Sequence, residues 1–123
     1  MKKVFLMIVM FTFLGCAYQE MIRVRQMDIQ NVDISSIQDG KYIGSFYYSG
    51  FEYRVKTIVN AQKIIDIEIL QNRDTKRAQR AEVVLREILK RQTPNVDAIS
   101  GATTTSKALM KAVENSLISK RSM

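Results

Sequence analysis

The run Val96-Asp97-Ala98-Ile99-Ser100-Gly101-Ala102-Thr103-Thr104-Thr105-Ser106 holds the residues with the most chemical reach in this 123-residue chain. Hydroxyls at Ser100, Thr103, Thr104, Thr105 and Ser106, and one carboxylate at Asp97, crowd around Gly101 and Ala102. Glycine opens backbone conformations closed to other residues. Alanine adds almost no bulk, so a large group can approach the chain here. The residues that follow read as a helix, and the free N–H groups and dipole at a helix start favour an anion such as phosphate. Two readings follow. One is an anion site assisted by hydroxyls; the other is a capping loop in which Thr105 or Ser106 is the N-cap and the rest links two helices.

Much other chemistry is excluded. The chain has no histidine and one cysteine, Cys16. That removes His-based acid–base work, Cys-His and Ser-His nucleophile pairs, zinc sites of the usual Cys/His kind, and any internal disulfide. No catalytic residue set and no metal site is expected. Lys and Arg number 19 against 12 Asp and Glu, a formal charge of +7. Without Lys2 and Lys3 the balance is 17 against 12, or +5. The positive residues are spread along strands and a helix rather than forming one block, so they read as solvated faces and no nucleic-acid partner is expected.

The N-terminus reads as an address. Met1-Lys2-Lys3 precedes the apolar run Val4–Leu14, which is shorter than the roughly 20 residues a membrane span needs and has the flanks of a secretory signal. Phe13-Leu14-Gly15-Cys16 resembles a bacterial lipobox, with Phe13 where an aliphatic residue is usual. The expected organisation is a lipoprotein signal peptide over 1–15, a lipid-anchored tether and lead-in over 16–38, and a folded domain over 39–120. Lipid on Cys16 would hold the domain on a membrane, outside the cytoplasm and facing the periplasm or cell exterior. The alternative is an ordinary or uncleaved secretory signal with an incidental cysteine.

Several elements must position the hydroxyl-rich loop. Met21–Met27 alternates weakly, which suggests an extended stretch, and Val32, Ile34 and Ile37 are candidates to pack on the domain. Asp39-Gly40 is a turn dipeptide. Lys41–Ser49 is a first strand rich in Tyr, Phe and Ile. Phe51–Asn60 alternates, with Phe51, Tyr53, Val55, Thr57 and Val59 on one face and Glu52, Arg54 and Lys56 on the other. After the turn Asn60-Ala61-Gln62 comes Lys63–Leu70, with Ile65, Ile67 and Ile69 expected inside and Asp66 and Glu68 outside. One helix capped by Asp74 or Thr75 is expected through Ala78, Ala81, Val84, Leu85, Ile88 and Leu89. It should end at Thr93-Pro94-Asn95. A second is expected from about Thr105 or Ser106 to Ser119. The fold class is α+β: a small antiparallel sheet packed against helices, with the loop between the two main helices.

Asp97-Ala98-Ile99-Ser100-Gly101-Ala102-Thr103, followed by Thr104-Thr105-Ser106, resembles the flavinylation motif of the FMN-binding domain family. That domain occurs in the peripheral flavin subunits of sodium-pumping NADH:quinone reductases and Rnf complexes, and in small exported lipoproteins. Asp39-Gly40-Lys41-Tyr42-Ile43-Gly44, the hairpin Val55–Leu70 and the helix Ser106–Leu117 are similar to the family as well. Two departures stand out: fewer glycines around Ser45, Tyr47, Tyr48 and Ser49, and Asn72, Arg73, Asp74 and Thr75 where the family often has a histidine.

The resemblance implies FMN joined by a phosphoester to Thr103. A flavin transferase would add it, using FAD and Mg²⁺ and releasing AMP. Asp97, Ser100, Gly101 and Ala102 would serve recognition and approach, and Thr104, Thr105 and Ser106 the remaining phosphate charge. It further implies an electron carrier rather than an enzyme. Its redox donor and acceptor are unnamed, and a membrane oxidoreductase complex is one candidate. Tyr42, Tyr47, Tyr48, Phe51 and Tyr53 are open to ring stacking or to core packing, and Arg73, Arg77 and Arg80 to the flavin, an acidic partner or solvent. The competing reading is a lipoprotein without covalent flavin that binds a small anion or acts as an accessory subunit.

Overall fold

The computed structural model describes residues 17–119. The expected signal peptide over 1–15 and Cys16 lie outside them. Among the described residues no helix is long and apolar enough to cross a membrane.

Three strands, β1 (Gly40–Tyr48), β2 (Phe51–Asn60) and β3 (Lys63–Gln71), form one antiparallel sheet in the order β1-β2-β3. Both hairpins close in two residues. Ser49 and Gly50 have φ of 52° and 73°, and Ala61 and Gln62 have 51° and 64°. Paired positive φ is what a turn matching the right-handed twist of the strands requires. Only one of these four residues is glycine, so the second hairpin is held from outside: Ala61 N–H donates to Asp39 Oδ1 at 2.9 Å.

The inner face of β2 follows the alternation, with Tyr53, Val55, Thr57 and Val59 all buried. β3 does not follow it. Ile58 pairs with Asp66 but Val59 pairs with Ile64, and Arg54 pairs with Gln71 but Val55 with Ile69. Ile65 and Leu70 are therefore the extra residues of two bulges, and they turn outward, at 55% and 40% exposure. The inner face holds Ile64, Ile67 and Ile69 in place of the expected Ile65, Ile67 and Ile69. A bulge moves every residue beyond it to the opposite face, which strict alternation cannot anticipate. The first bulge is pinned by Gln92, whose Oε1 accepts from Ile64 N–H at 2.7 Å while its Nε2 donates to Ile64 O at 2.9 Å. Ile64→Ala is expected to cost about 2–5 kcal/mol, and Ile65→Ala no more than about 0.5 kcal/mol. Urea unfolding of the two variants separates this register from the alternating one.

Residues 17–25 are helical (α1), which corrects the extended reading of Met21–Met27. The alternation there was incidental, and the helix buries Val24 instead. Ile34 and Ile37, either side of a short 3-10 turn at Ile34–Ser36, are buried, and Val32 packs against the core. The expected first helix is two pieces, α2 (Lys76–Ala81) and α3 (Val83–Arg91), interrupted at Glu82. Thr75 is the cap, its hydroxyl accepting from Ala78 N–H at 3.0 Å. Asn72 braces the interruption, its Nδ2 donating to Ala78 O at 3.1 Å and to Glu82 Oε1 at 3.2 Å.

The last helix, α4 (Thr103–Ser119), begins two residues before the earliest expected start. It packs on β1 and β2 and touches α2 and α3. Ala108, Ala112 and Ser116 recur every four residues, a spacing that puts them on one face. This small-residue face lets the helix backbone close on Gly44 of β1. Polar links fix the contact: Thr57 Oγ1 and Ser116 Oγ lie 2.8 Å apart in the core, and Asn115 Nδ2 donates to Ser45 O at 2.8 Å. The C-terminal half of α4 is thereby held against the sheet.

Candidate functional site

Ala102 opens α4: its carbonyl accepts from Ser106 N–H at 2.9 Å, and its own N–H donates to Ile99 O at 2.9 Å. Gly101, at φ 79°, makes the preceding bend. Ser106 is buried beneath the loop and is not the N-cap. Its Oγ accepts from Ile99 N–H at 3.1 Å and donates to Ala102 O at 2.7 Å, so it staples the loop to the first helical turn. Thr105 is buried within that turn and is not the cap either. Among the described residues no side-chain hydrogen bond caps α4 in place of these two. The N–H groups of Thr103, Thr104 and Thr105 have no acceptor within the helix, and none is found for them elsewhere among the described residues. They stay open to an outside anion.

A cleft of about 280 Å³ lies over this helix start. Gly101, Ala102 and Thr103 to Thr105 line one side. Tyr48 of β1, Tyr53 of β2, Arg73 and Thr75 of the β3–α2 connection and Arg77 of α2 line others, with Met21 and Arg25 of α1. Among the described residues, three arginines and no acidic residue line the cleft. Arg80 lies nearby: a Cβ on Gly101 would sit 3.7 Å from its guanidinium.

The three threonines differ in what their hydroxyls do. Thr105 is buried. Thr104 Oγ1 accepts from Arg25 Nε at 2.9 Å. Thr103 is half-buried, faces the cleft, and has no side-chain hydrogen bond among the described residues. Asp97 and Ser100 are exposed and outside the cleft lining. Of the five aromatics, Tyr48 and Tyr53 reach the cleft. Tyr42 is core, its hydroxyl donating to Gln38 O at 2.6 Å. Tyr47 is 67% exposed, and Phe51 packs edge-on against Tyr53 at 5.0 Å. Burial, with Glu20 adding to it, holds the Tyr48 phenol above its usual range.

Arg25 and Met21 are site residues that sequence reasoning missed. Their four-residue spacing was the available signal, hidden once the segment was read as extended tether.

A glycine-opened loop, a helix start with no side-chain cap among the described residues and a cleft lined by arginines are features that suit a phosphorylated ligand. The chain belongs to the FMN-binding domain family, whose model matches residues 48–118. No curated protein matches the chain. Membership makes the protein a flavin-binding, electron-transfer domain with FMN as its cofactor. The residues present fit that group. The open N–H groups and Arg25 suit a phosphate, and the half-buried Tyr48 offers a surface to a flat ring. At about 280 Å³ the cleft is smaller than the roughly 300–1,000 Å³ pockets that enclose drug-sized ligands, so part of an FMN would stay exposed. The matched residues leave α1 outside, although α1 supplies one wall of the cleft.

Proposed function

We propose that this chain is an exported, lipid-anchored electron carrier whose FMN is esterified through its phosphate to the Thr103 hydroxyl. One observation carries the reading. Of three successive threonines at the cleft, Thr104 is engaged by Arg25 and Thr105 is buried, whereas Thr103 is half-buried and has no side-chain hydrogen bond among the described residues. The joining step belongs to a flavin transferase acting on FAD with Mg²⁺. The Thr103 oxygen bonds to the flavin-side phosphorus, the bond between the two phosphates of FAD breaks, AMP leaves, and the hydroxyl proton is released. Arg25 and the N–H groups of Thr103 to Thr105 offset the charge that the phosphodiester retains. Ser106 keeps the loop in place, and Gly101 and Ala102 keep the approach clear. Asp97 and Ser100, exposed beside it, are available for the transferase to recognise.

The bound isoalloxazine ring supplies the one- and two-electron chemistry. A covalent link suits a protein outside the cytoplasm, where a dissociated cofactor would be lost. Lipid on Cys16 would keep the domain beside a membrane oxidoreductase that serves as donor or acceptor. Expression of the full chain in an exporting host with a flavin transferase tests the reading by intact mass. The expected product is yellow and heavier by one FMN residue, and the same spectrum reads acylation at Cys16. A colourless, unmodified chain beside an active transferase would favour a lipoprotein that binds a small anion without covalent flavin.

A further inference from the structure

Arg73 stands apart from the other cations of the cleft. It follows β3 and is fixed from three directions. Its Nε donates to Tyr53 Oη at 2.9 Å, its Nη2 donates to Tyr48 O at 3.3 Å, and its backbone N–H donates to Asn72 Oδ1 at 2.8 Å. The guanidinium also sits 4.6 Å from the Phe51 ring centroid and 5.9 Å from that of Tyr53, an arrangement in which ring faces attract a cation. No carboxylate pairs with it among the described residues. Arg73 is thus a half-buried, immobilised and uncompensated positive charge, on the aromatic side of the cleft. Arg25, which also lines the cleft, is engaged with Thr104 beside the helix start. A ligand joined to Thr103 would have its phosphate near Arg25 and its ring in reach of Tyr48 and Arg73, which line the same cleft.

We propose that Arg73 contacts the flavin ring and sets its reduction potential, an inference that rests on FMN being carried at Thr103. Uptake of two electrons and one proton leaves one negative charge on an isoalloxazine ring. A fixed guanidinium in a partly desolvated cleft lowers the energy of that charged form more than that of the neutral oxidised form. Arg73 therefore makes reduction easier and delays uptake of the second proton. The hydrogen bonds to Tyr53 and Tyr48 hold the charge in place, so no reorganisation is needed when electrons arrive.

The test uses the full chain, flavinylated during export, with intact mass read first. A wild-type chain without covalent FMN removes the Thr103 reading and this inference with it. On flavinylated protein, potentials are measured by dithionite titration against redox dyes. Arg73→Gln is expected to disfavour two-electron reduction about tenfold, a fall of about 30 mV. Arg73→Lys, which keeps the charge and loses the forked geometry, is expected to stay nearer the wild type than to Arg73→Gln. Equal potentials in wild type and Arg73→Gln overturn the proposal, as does a Lys variant displaced as far as the Gln variant, which would mark a structural role. A second measurement needs no variant and decides the matter if Arg73→Gln does not fold. Plotted against pH, the wild-type potential changes slope where uptake falls from two protons to one. That break is expected at lower pH than in free FMN measured alongside, and a break at the same or higher pH overturns the proposal.

Discussion

Alanine at Gly44 is expected to remove most of the stability of the domain. A Cβ there would collide with the Ala112 carbonyl oxygen and the Ser116 backbone nitrogen, and would lie 2.7 Å from Ser116 Cα. All three are backbone atoms of α4, so no rotamer change relieves the contact. Either the helix lifts from β1 or the strand bends. Lifting α4 would pull apart the Thr57–Ser116 pair and the bond from Asn115 to Ser45 O. Overpacking against movable side chains costs about 1–3 kcal/mol, and collision with a helix backbone should exceed that range. Against a total of about 5–15 kcal/mol for a domain, the variant should melt at least about 15 °C lower, at about 4–8 °C per kcal/mol for a domain this small. Gly50→Ala is the control. Gly50 has φ 73°, and a Cβ placed on it would meet no atom within 4 Å, so its cost is the left-handed backbone alone, about 1–2 kcal/mol. Thermal unfolding followed by circular dichroism compares the two. Equal losses would mean that the close approach at Gly44 costs no more than the left-handed backbone at Gly50.

How much of this was legible in the residues depends on the range of the determining interaction. β2 read correctly because its alternation is uninterrupted and one face is buried along its whole length. The hydroxyl-rich loop was visible because its composition is unlike that of the elements beside it. The errors share one cause, in that a distant partner decided the local geometry. Ile64 displaces Ile65 from the core because Gln92, 28 residues away, occupies both hydrogen-bonding groups of Ile64. The interruption at Glu82 is braced by Asn72 from the preceding loop. Helix α1 is tied down through Arg25 to Thr104, 79 residues on, and through Glu20 Oε1, which accepts from Ser49 N–H at 3.2 Å. None of these pairings leaves a periodic signal. Arg25 was therefore absent from the expected site, while Tyr48, Tyr53 and Arg73 were present only as members of longer sets.

The same distinction bears on which threonine accepts the cofactor. Thr103→Ala is expected to abolish covalent FMN entirely, while Thr104→Ala and Thr105→Ala retain it. Adjacent threonines offer identical nucleophiles, so the selection has to come from their surroundings. Thr105 is buried and cannot meet a second active site. Thr104 presents its oxygen to Arg25, which draws electron density away and covers one approach. Thr103 has neither restriction and lies at the first helical position, where the following N–H groups can hold a phosphate as it arrives. Intact mass of the three variants, each exported with the transferase, separates these cases. Transfer of FMN to Thr104 in the Thr103→Ala chain would show that the transferase selects by loop sequence alone. Loss in Thr104→Ala with Thr103 present would instead assign the Arg25–Thr104 contact a part in presenting the acceptor, and Arg25→Ala should then reproduce that loss.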